Sequence, residues 1–288
     1  MFKTRVISAV FLIAFLLVTL IPGGDILFVA SIALSLIAYR ELMSALKLAG
    51  NTKKQEANPK AKNLIGCFTG IELLGYLDIV IYYLLIYFVK DRMWLFVSAF
   101  VMLLFFMAVY VLTFPKYEAR DIMASYFSLL YGPLMLSFIY LTRSLNYGEY
   151  AVWLIFVSSW ICDTFAYLSG MLLGKHKLAP VLSPKKSIEG AIGGVIGAAV
   201  FGGLFSYFAI ERLYPEKNVT WIFVLITAVG AVIAQIGDLA ASGIKRNEGI
   251  KDYGRLIPGH GGIMDRFDSV IFTAPMVYAL ALLLFNYK

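Results

Sequence analysis

Residues 93–114 read MWLFVSAFVMLLFFMAVYVLTF, a run without one charged side chain. Crossing ~30 Å of hydrocarbon takes about 20 such residues in a helix, so this stretch predicts a membrane span. A strand of a membrane barrel would alternate lipid-facing and lumen-facing residues over about ten positions. Here no alternation exists and every face is apolar, so the helix is the only spanning structure that fits.

The same argument extends outward in both directions. Apolar segments precede this one at about 6–21, 26–47 and 64–89, and follow it at about 122–142, 149–173, 187–210, 219–243 and 269–286. Together they predict an all-α polytopic integral membrane protein of about nine transmembrane helices, one membrane domain over 1–288. Within it, 1–115 reads as scaffold helices and 116–288 as the part carrying chemistry. Composition agrees: 60% of the 288 residues are hydrophobic, against about 45–50% in soluble domains. The first segment starts with Lys3 and Arg5 as a signal peptide would, but no small-residue cleavage pattern precedes Pro22-Gly23-Gly24, so it reads as a retained helix. Residues 50–63, GNTKKQEANPKAKN, read as an unstructured linker.

The net charge of +7 lies in short loops. Most of the 25 lysines and arginines fall at the N-terminus and in the loops after spans 2, 4, 6 and 8, which places those regions and the N-terminus on the cytoplasmic side. This explanation leaves no role for nucleic acid and makes anionic lipid heads the natural surface partners. Cys67 and Cys162 sit in apolar segments without C-x-x-C spacing and read as small hydrophobes.

Against this apolar background, residues 238–268 stand out: DLAASGIKRNEGIKDYGRLIPGHGGIMDRFD. Charge close to a bilayer is costly and marks a candidate site. Asp238, Ser242 and Lys245 fall at i, i+4 and i+7, one face of the eighth helix. Asp265 and Asp268, at i and i+3, share a face if the ninth helix begins near Met264. Three carboxylates converging from two helices suit a hard cation such as magnesium, with substrate phosphates completing its shell. Gly259, Gly261 and Gly262 around His260 allow a tight turn; His260 itself is either a base or a loop-ordering hydrogen-bonder. His176, beside lysines, reads as solvated.

Two further clusters lie upstream. Asp163, Tyr167, Gly170 and Gly174 share one helix face, and Asp163 is either functional or a buried acid paired with a neighbouring basic residue. Ser183-Pro184 has the form of an N-cap and first turn, which would place Lys185 and Lys186 in the first turn of the seventh helix, a phosphate-binding position. The steps Gly190/Gly194 and Gly193/Gly197 read as tight helix packing and permit a homodimer. Glu72 and Asp78 are about 240° apart on their helix, and each is either an interfacial residue or part of a path through the membrane.

The run Ser242-Gly243-Ile244-Lys245-Arg246, then Lys251-Asp252, then Pro258 through Asp268 resembles the signature of phosphatidate cytidylyltransferases. DTFAYLSGMLLGK from Asp163 and SPKKSIEG from Ser183 agree, with Ser187 and Ile188 where that family commonly has Thr and Trp. The resemblance is close in the C-terminal half; the N-terminal spans match only as apolar helices. It implies a reaction in which CTP and phosphatidic acid give CDP-diacylglycerol and pyrophosphate, at a bacterial cytoplasmic membrane with the site facing the cytoplasm. On that basis Asp238, Asp265 and Asp268 are expected to hold one or two magnesium-type cations, with Asp163 close by. Lys185, Lys186, Lys245, Arg246 and Lys251 are expected on the triphosphate and the lipid phosphate, with Ser183, Ser242, His260 and Arg266 as further substrate contacts. A CDP-alcohol phosphatidyltransferase needs D-G-x-x-A-R and D-x-x-x-D, and neither spacing is present. An ion-coupled transporter would spread its acids through the bilayer, whereas these crowd one rim. A CTP-dependent polyprenol kinase would release CDP.

Overall fold

A computed structural model describes residues 2–55, 70–89, 93–211 and 219–285. Among them run nine helices: α1 (Phe2–Leu20), α2 (Gly24–Gln55), α3 (Gly70–Phe88), α4 (Met93–Thr113), α5 (Ala119–Arg143), α6 (Gly148–Leu173), α7 (Ile188–Glu211), α8 (Thr220–Asn247) and α9 (Met264–Phe285). Eight are long and apolar enough to cross a membrane, and α1 is apolar over Ile7–Leu20. The protein is an all-α polytopic membrane protein. The expected linker is helical as far as Gln55, while the rest of it and the start of the expected third span, residues 56–69, lie outside the described residues. Cys67 lies there too.

Two apolar clusters organise the bundle. In one, Leu16 and Leu20 of α1 and Ala38 and Leu42 of α2 pack with Leu136 and Ile139 of α5, Val152 and Ile155 of α6, Phe223 and Ile226 of α8 and Phe267 and Val270 of α9. In the other, α3 and α4 lean on the outside of α2 and α5 through Ile79, Tyr83, Met102, Phe106 and Ile122. Tyrosines in this second cluster satisfy their hydroxyls on serines of neighbouring helices, Tyr83 with Ser35 at 2.7 Å and Tyr39 with Ser125 at 2.6 Å. In a bilayer such pairing replaces the water these groups would otherwise need.

The glycine run of α7 is consumed within the chain. A Cβ on Gly190 would meet Ala166 O at 2.7 Å and Gly170 Cα at 3.1 Å, so α6 and α7 cross backbone against backbone. The face that allows a homodimer is therefore covered by α6.

Helices α5, α6 and α7 each contain one π turn, at Leu130–Leu134, Val157–Ile161 and Tyr207–Glu211. The second ends two residues before Asp163. A π turn holds one residue more than an α turn and shifts the phase of everything after it.

Between α6 and α7 the structure departs from the expected capping. Lys177–Ala179 (β1) and Ser183–Ser187 (β2) pair antiparallel, Lys177 opposite Ser187 and Ala179 opposite Ser183. Ser183 therefore caps nothing, and Lys185 and Lys186 lie on a strand before the helix rather than in its first turn. The N-cap is Ser187, whose hydroxyl accepts the Gly190 N–H at 3.1 Å. The reason is the hairpin: Glu189 in the first turn of α7 accepts the Lys175 N–H at 3.0 Å and meets His176 Nδ1 at 2.6 Å. This clamp holds the preceding segment extended. Pro184 is tolerated because a two-stranded ribbon has only edges. His176 is 74% exposed, as expected, yet engaged.

Candidate active site

The site is built on the loop from α8 to α9, and that loop is held by two carboxylates. Asp265, in the first turn of α9, is buried. Its Oδ2 accepts the N–H of Tyr253 at 2.8 Å and of Gly262 at 3.0 Å, and its Oδ1 meets Lys245 Nζ at 3.1 Å. Lys245 also approaches Asp268 at 3.9 Å and lies 5.3 Å over the Tyr253 ring. Burial first, then Tyr131, Asp265 and Asp268, push the Tyr253 phenol above its ordinary range. It stays neutral and donates a hydrogen bond to Ala241 O at 3.0 Å. The tip closes by a pair of hydrogen bonds between Ile257 and Gly261, N to O at 2.8 Å and 3.1 Å. That turn needs positive φ at Gly259 (+78°) and Gly261 (+89°), conformations that side-chain-bearing residues avoid.

The second carboxylate is Glu41 of α2, which the sequence analysis does not single out. It is 8% exposed. It accepts the N–H of Ile263 at 3.1 Å and of Met264 at 2.9 Å, satisfying two amides that open α9. The loop runs so close that a Cβ added to Gly254 or Gly262 would collide with the Glu41 carboxylate. One signal was available. The neighbours of Glu41 at three and four residues are Ile37, Ala38, Ser44 and Ala45, so the acid has no local ion pair and must find its partner elsewhere.

One cavity lies against this loop and a second lies between α6, the hairpin, the start of α7 and α8. The first, of about 300 Å³, is lined by Leu12, Ile13, Trp160, Asp163, His260, Asp265, Arg266 and Asp268 among others. The other, of about 400 Å³, is lined by Asp163, Gly170, Lys185, Lys186, Gln235 and Asp238. Asp163 borders both. Its helix face arrives as expected, with Tyr167 and Gly170 beside it in the second cavity. Lys186 forms an ion pair with Asp238, so Lys186 on the hairpin and Lys245 on α8 each stand against acid from another element. Asp163, Asp238 and Asp268 lie within electrostatic range of one another, although among the described residues no three His, Cys, Asp or Glu side chains are grouped closely enough to hold a metal ion as they stand.

Not every expected residue joins this centre. Arg246 is exposed in the last turn of α8 and Lys251 is exposed in the loop beyond it, and Ser183 and Ser242 line neither cavity. Glu72 and Asp78 are in α3, on the outer cluster; Asp78 is buried there with no hydrogen-bond partner for its Oδ2. Cys162 is buried beside Gln235 Nε2 at 3.4 Å, a small packed side chain.

Comparison with known proteins identifies the family. The chain is 32% identical over 280 residues to a phosphatidate cytidylyltransferase of Staphylococcus saprophyticus, covering 96% of this chain and 98% of that one. It is 33% identical over 284 residues to the protein of the same name from Staphylococcus haemolyticus, covering 96% and 98%. To that of Staphylococcus aureus it is 42% identical over 172 residues, 59% of this chain and 63% of the relative. Residues 3–284 match the cytidylyltransferase family, and with the match spanning nearly the whole chain, this protein is a member of that enzyme family.

Proposed function

We propose that the protein transfers the cytidylyl group of CTP to phosphatidic acid, releasing pyrophosphate and leaving CDP-diacylglycerol in the membrane, on the cytoplasmic side. The observation that carries the reading is the pairing at the paired cavities: Lys186 against Asp238 and Lys245 against Asp265 and Asp268, in a chain resembling phosphatidate cytidylyltransferases across its length.

The chemistry is a displacement at phosphorus. An oxygen of the lipid phosphate attacks the α-phosphorus of CTP, and the bond from that phosphorus to the bridging oxygen of pyrophosphate breaks. A phosphate monoester has its second pKa near about 6, so the nucleophile is already largely deprotonated and a site without a dedicated base suffices. What the chain must supply is positive charge and alignment. Lys186 and Lys245 can exchange their carboxylate partners for phosphate oxygens, and Lys185 stands beside Lys186 on the same wall. Glu41 and Asp265 hold the loop in shape through backbone amides.

A divalent cation such as magnesium suits the carboxylates of this site by their chemistry, although among the described residues no three stand close enough together to share one until they draw in around substrate phosphates. Such an ion takes one or two carboxylates and completes its shell with phosphates and water. Asp238, Asp268 and the Lys245-facing oxygen of Asp265 would hold it, with Asp163 close by, because the present partners of these oxygens are lysine ammonium groups that substrate phosphates can draw away. When bound it would neutralise the charge that gathers on the phosphates.

The test is the purified protein with labelled CTP, phosphatidic acid and magnesium. Lipid-linked cytidine with equimolar pyrophosphate is the expected result. Free CDP would indicate a lipid kinase, and no nucleotide turnover would remove the enzyme reading in favour of a transporter.

A further inference from the structure

Among the described residues, none of α5 lines either cavity, yet its π turn at Leu130–Leu134 brings one polar side chain up behind them. Tyr131 is 6% exposed. Its ring is stacked on Phe127 with centroids 5.2 Å apart and meets Phe272 of α9 edge-on at 6.0 Å. Phe272 stands one turn after Asp268 on the same face of α9. On α8, a Cβ added to Gly237 would meet the Phe272 Cβ at 2.9 Å and Asp268 O at 3.0 Å, and Asp238 is the next residue. The ring therefore packs where α8 crosses α9, and the phenol lies within electrostatic range of Asp268, Asp238 and Tyr253.

The Tyr131 hydroxyl is buried and, among the described residues, has no hydrogen-bond partner. Tyr39, Tyr82, Tyr83 and Tyr253, buried as deeply, each have one. A buried donor left unpaired is costly, and π turns are frequent where a helix serves a site. Both facts are accounted for if an acceptor reaches the phenol in another state of the protein. Asp268 is suited to that. Its Oδ1 accepts the Ser269 N–H at 2.9 Å, while its Oδ2 has Lys245 Nζ only at 3.9 Å. Asp238 has Lys186 as its own partner.

Resting on the reaction proposed above, we propose that Tyr131 is a positioning residue for that reaction: its hydroxyl takes over Asp268 when Lys245 leaves for the substrate phosphates. The phenol then donates to the carboxylate from behind the cavity wall and touches neither substrate. Lys245 is drawn furthest as charge gathers on the departing pyrophosphate, so the bond is strongest there and its loss falls on kcat.

Tyr131→Phe keeps the ring against Phe127 and Phe272 and removes only the hydroxyl. In mixed micelles kcat should fall about tenfold, as the loss of a hydrogen bond to a charged group implies, with KM for CTP and for phosphatidic acid within about twofold. Without substrates its Tm should stay level or rise, because an unpaired hydroxyl contributes nothing to the resting fold. A lower Tm or a failure to fold would show that the hydroxyl is already engaged at rest, and overturns the role. An unchanged kcat, or a loss carried by either KM, overturns it as well. A spectroscopic reading needs no turnover. In protein carrying tyrosine labelled with carbon-13 at the phenol carbon, the resonance missing from Tyr131→Phe should move when a non-transferable methylene analogue of CTP and phosphatidic acid are added together; a resonance that stays in place counts against the role. Absence of any CTP turnover by the wild-type protein overturns the reaction, and the role with it.

Discussion

The carboxylate of Glu41 accepts the backbone N–H of Met264 at 2.9 Å, joining α2 to the first residue of α9 across 223 positions of sequence. Glu41→Ala leaves that amide and the one of Ile263 buried and unpaired, at about 1–3 kcal/mol each. The expected outcome is a lower Tm in detergent and turnover reduced more than about tenfold. Glu41→Gln keeps an acceptor for one of the two amides but sets its NH2 against the other, so it should recover only part of the stability. Equal behaviour of the two variants would mean that the anion, not the hydrogen-bond geometry, matters.

Gly262 reports on the same contact from the other side. A Cβ there meets the Glu41 carboxylate, so Gly262→Ala should destabilise the loop by about 1–3 kcal/mol through overpacking. In the Glu41→Ala background the same change should cost less, because the obstacle is gone. A double-mutant cycle of thermal unfolding reads the coupling; additive effects would show that the two residues do not touch in the working protein.

Lys245 and Asp265 separate stability from chemistry. Lys245→Met strands the buried Asp265 oxygen without its cation, a change that costs about 3–5 kcal/mol in comparable buried pairs. Asp265→Asn keeps most hydrogen bonds and should fold. Its expected defect is in CTP-dependent pyrophosphate release, and undiminished release from a folded Asp265→Asn protein would remove this residue from the site.

Chelation should stop turnover and added magnesium should restore it. Asp238→Asn and Asp268→Asn should each raise the magnesium concentration for half-maximal rate by at least about tenfold. An unchanged magnesium requirement in both variants would show that the cation is held elsewhere.

The capping of α7 gives a simple check on local structure. Ser187→Ala should cost about 1 kcal/mol, as loss of an N-cap does. Ser183→Ala should stay within about 0.5 kcal/mol, since Ser183 lies on the ribbon. A larger loss for Ser183 in thermal unfolding would favour the capping expected from sequence.

How much of this was legible in the sequence follows from which interactions are local. Membrane helices announce themselves because each must satisfy its own backbone, so 93–114 could be read alone. The shared face of Asp163, Tyr167 and Gly170 was likewise a matter of helix period. The role of Glu41 was hidden, because its partners are backbone amides and any residue could have supplied them. Ser183 misled for a related reason: Ser-Pro-Lys-Lys is compatible with a helix start, and only the distant clamp of Glu189 on Lys175 and His176 makes it a strand. Asp265 was recognised as important, but not that its Oδ2 is occupied by Tyr253 and Gly262.

The π turn at Val157–Ile161 divides α6 into two lengths with separate obligations. Ahead of it, Val152 and Ile155 answer to the apolar bundle; behind it, Asp163, Tyr167 and Gly170 answer to the cavities. One additional residue in the turn offsets the second register from the first by roughly a third of a turn, so the length of this turn sets which way Asp163 faces while Val152 and Ile155 pack in the bundle. A lineage that lost that residue would have to relearn either its packing or its chemistry.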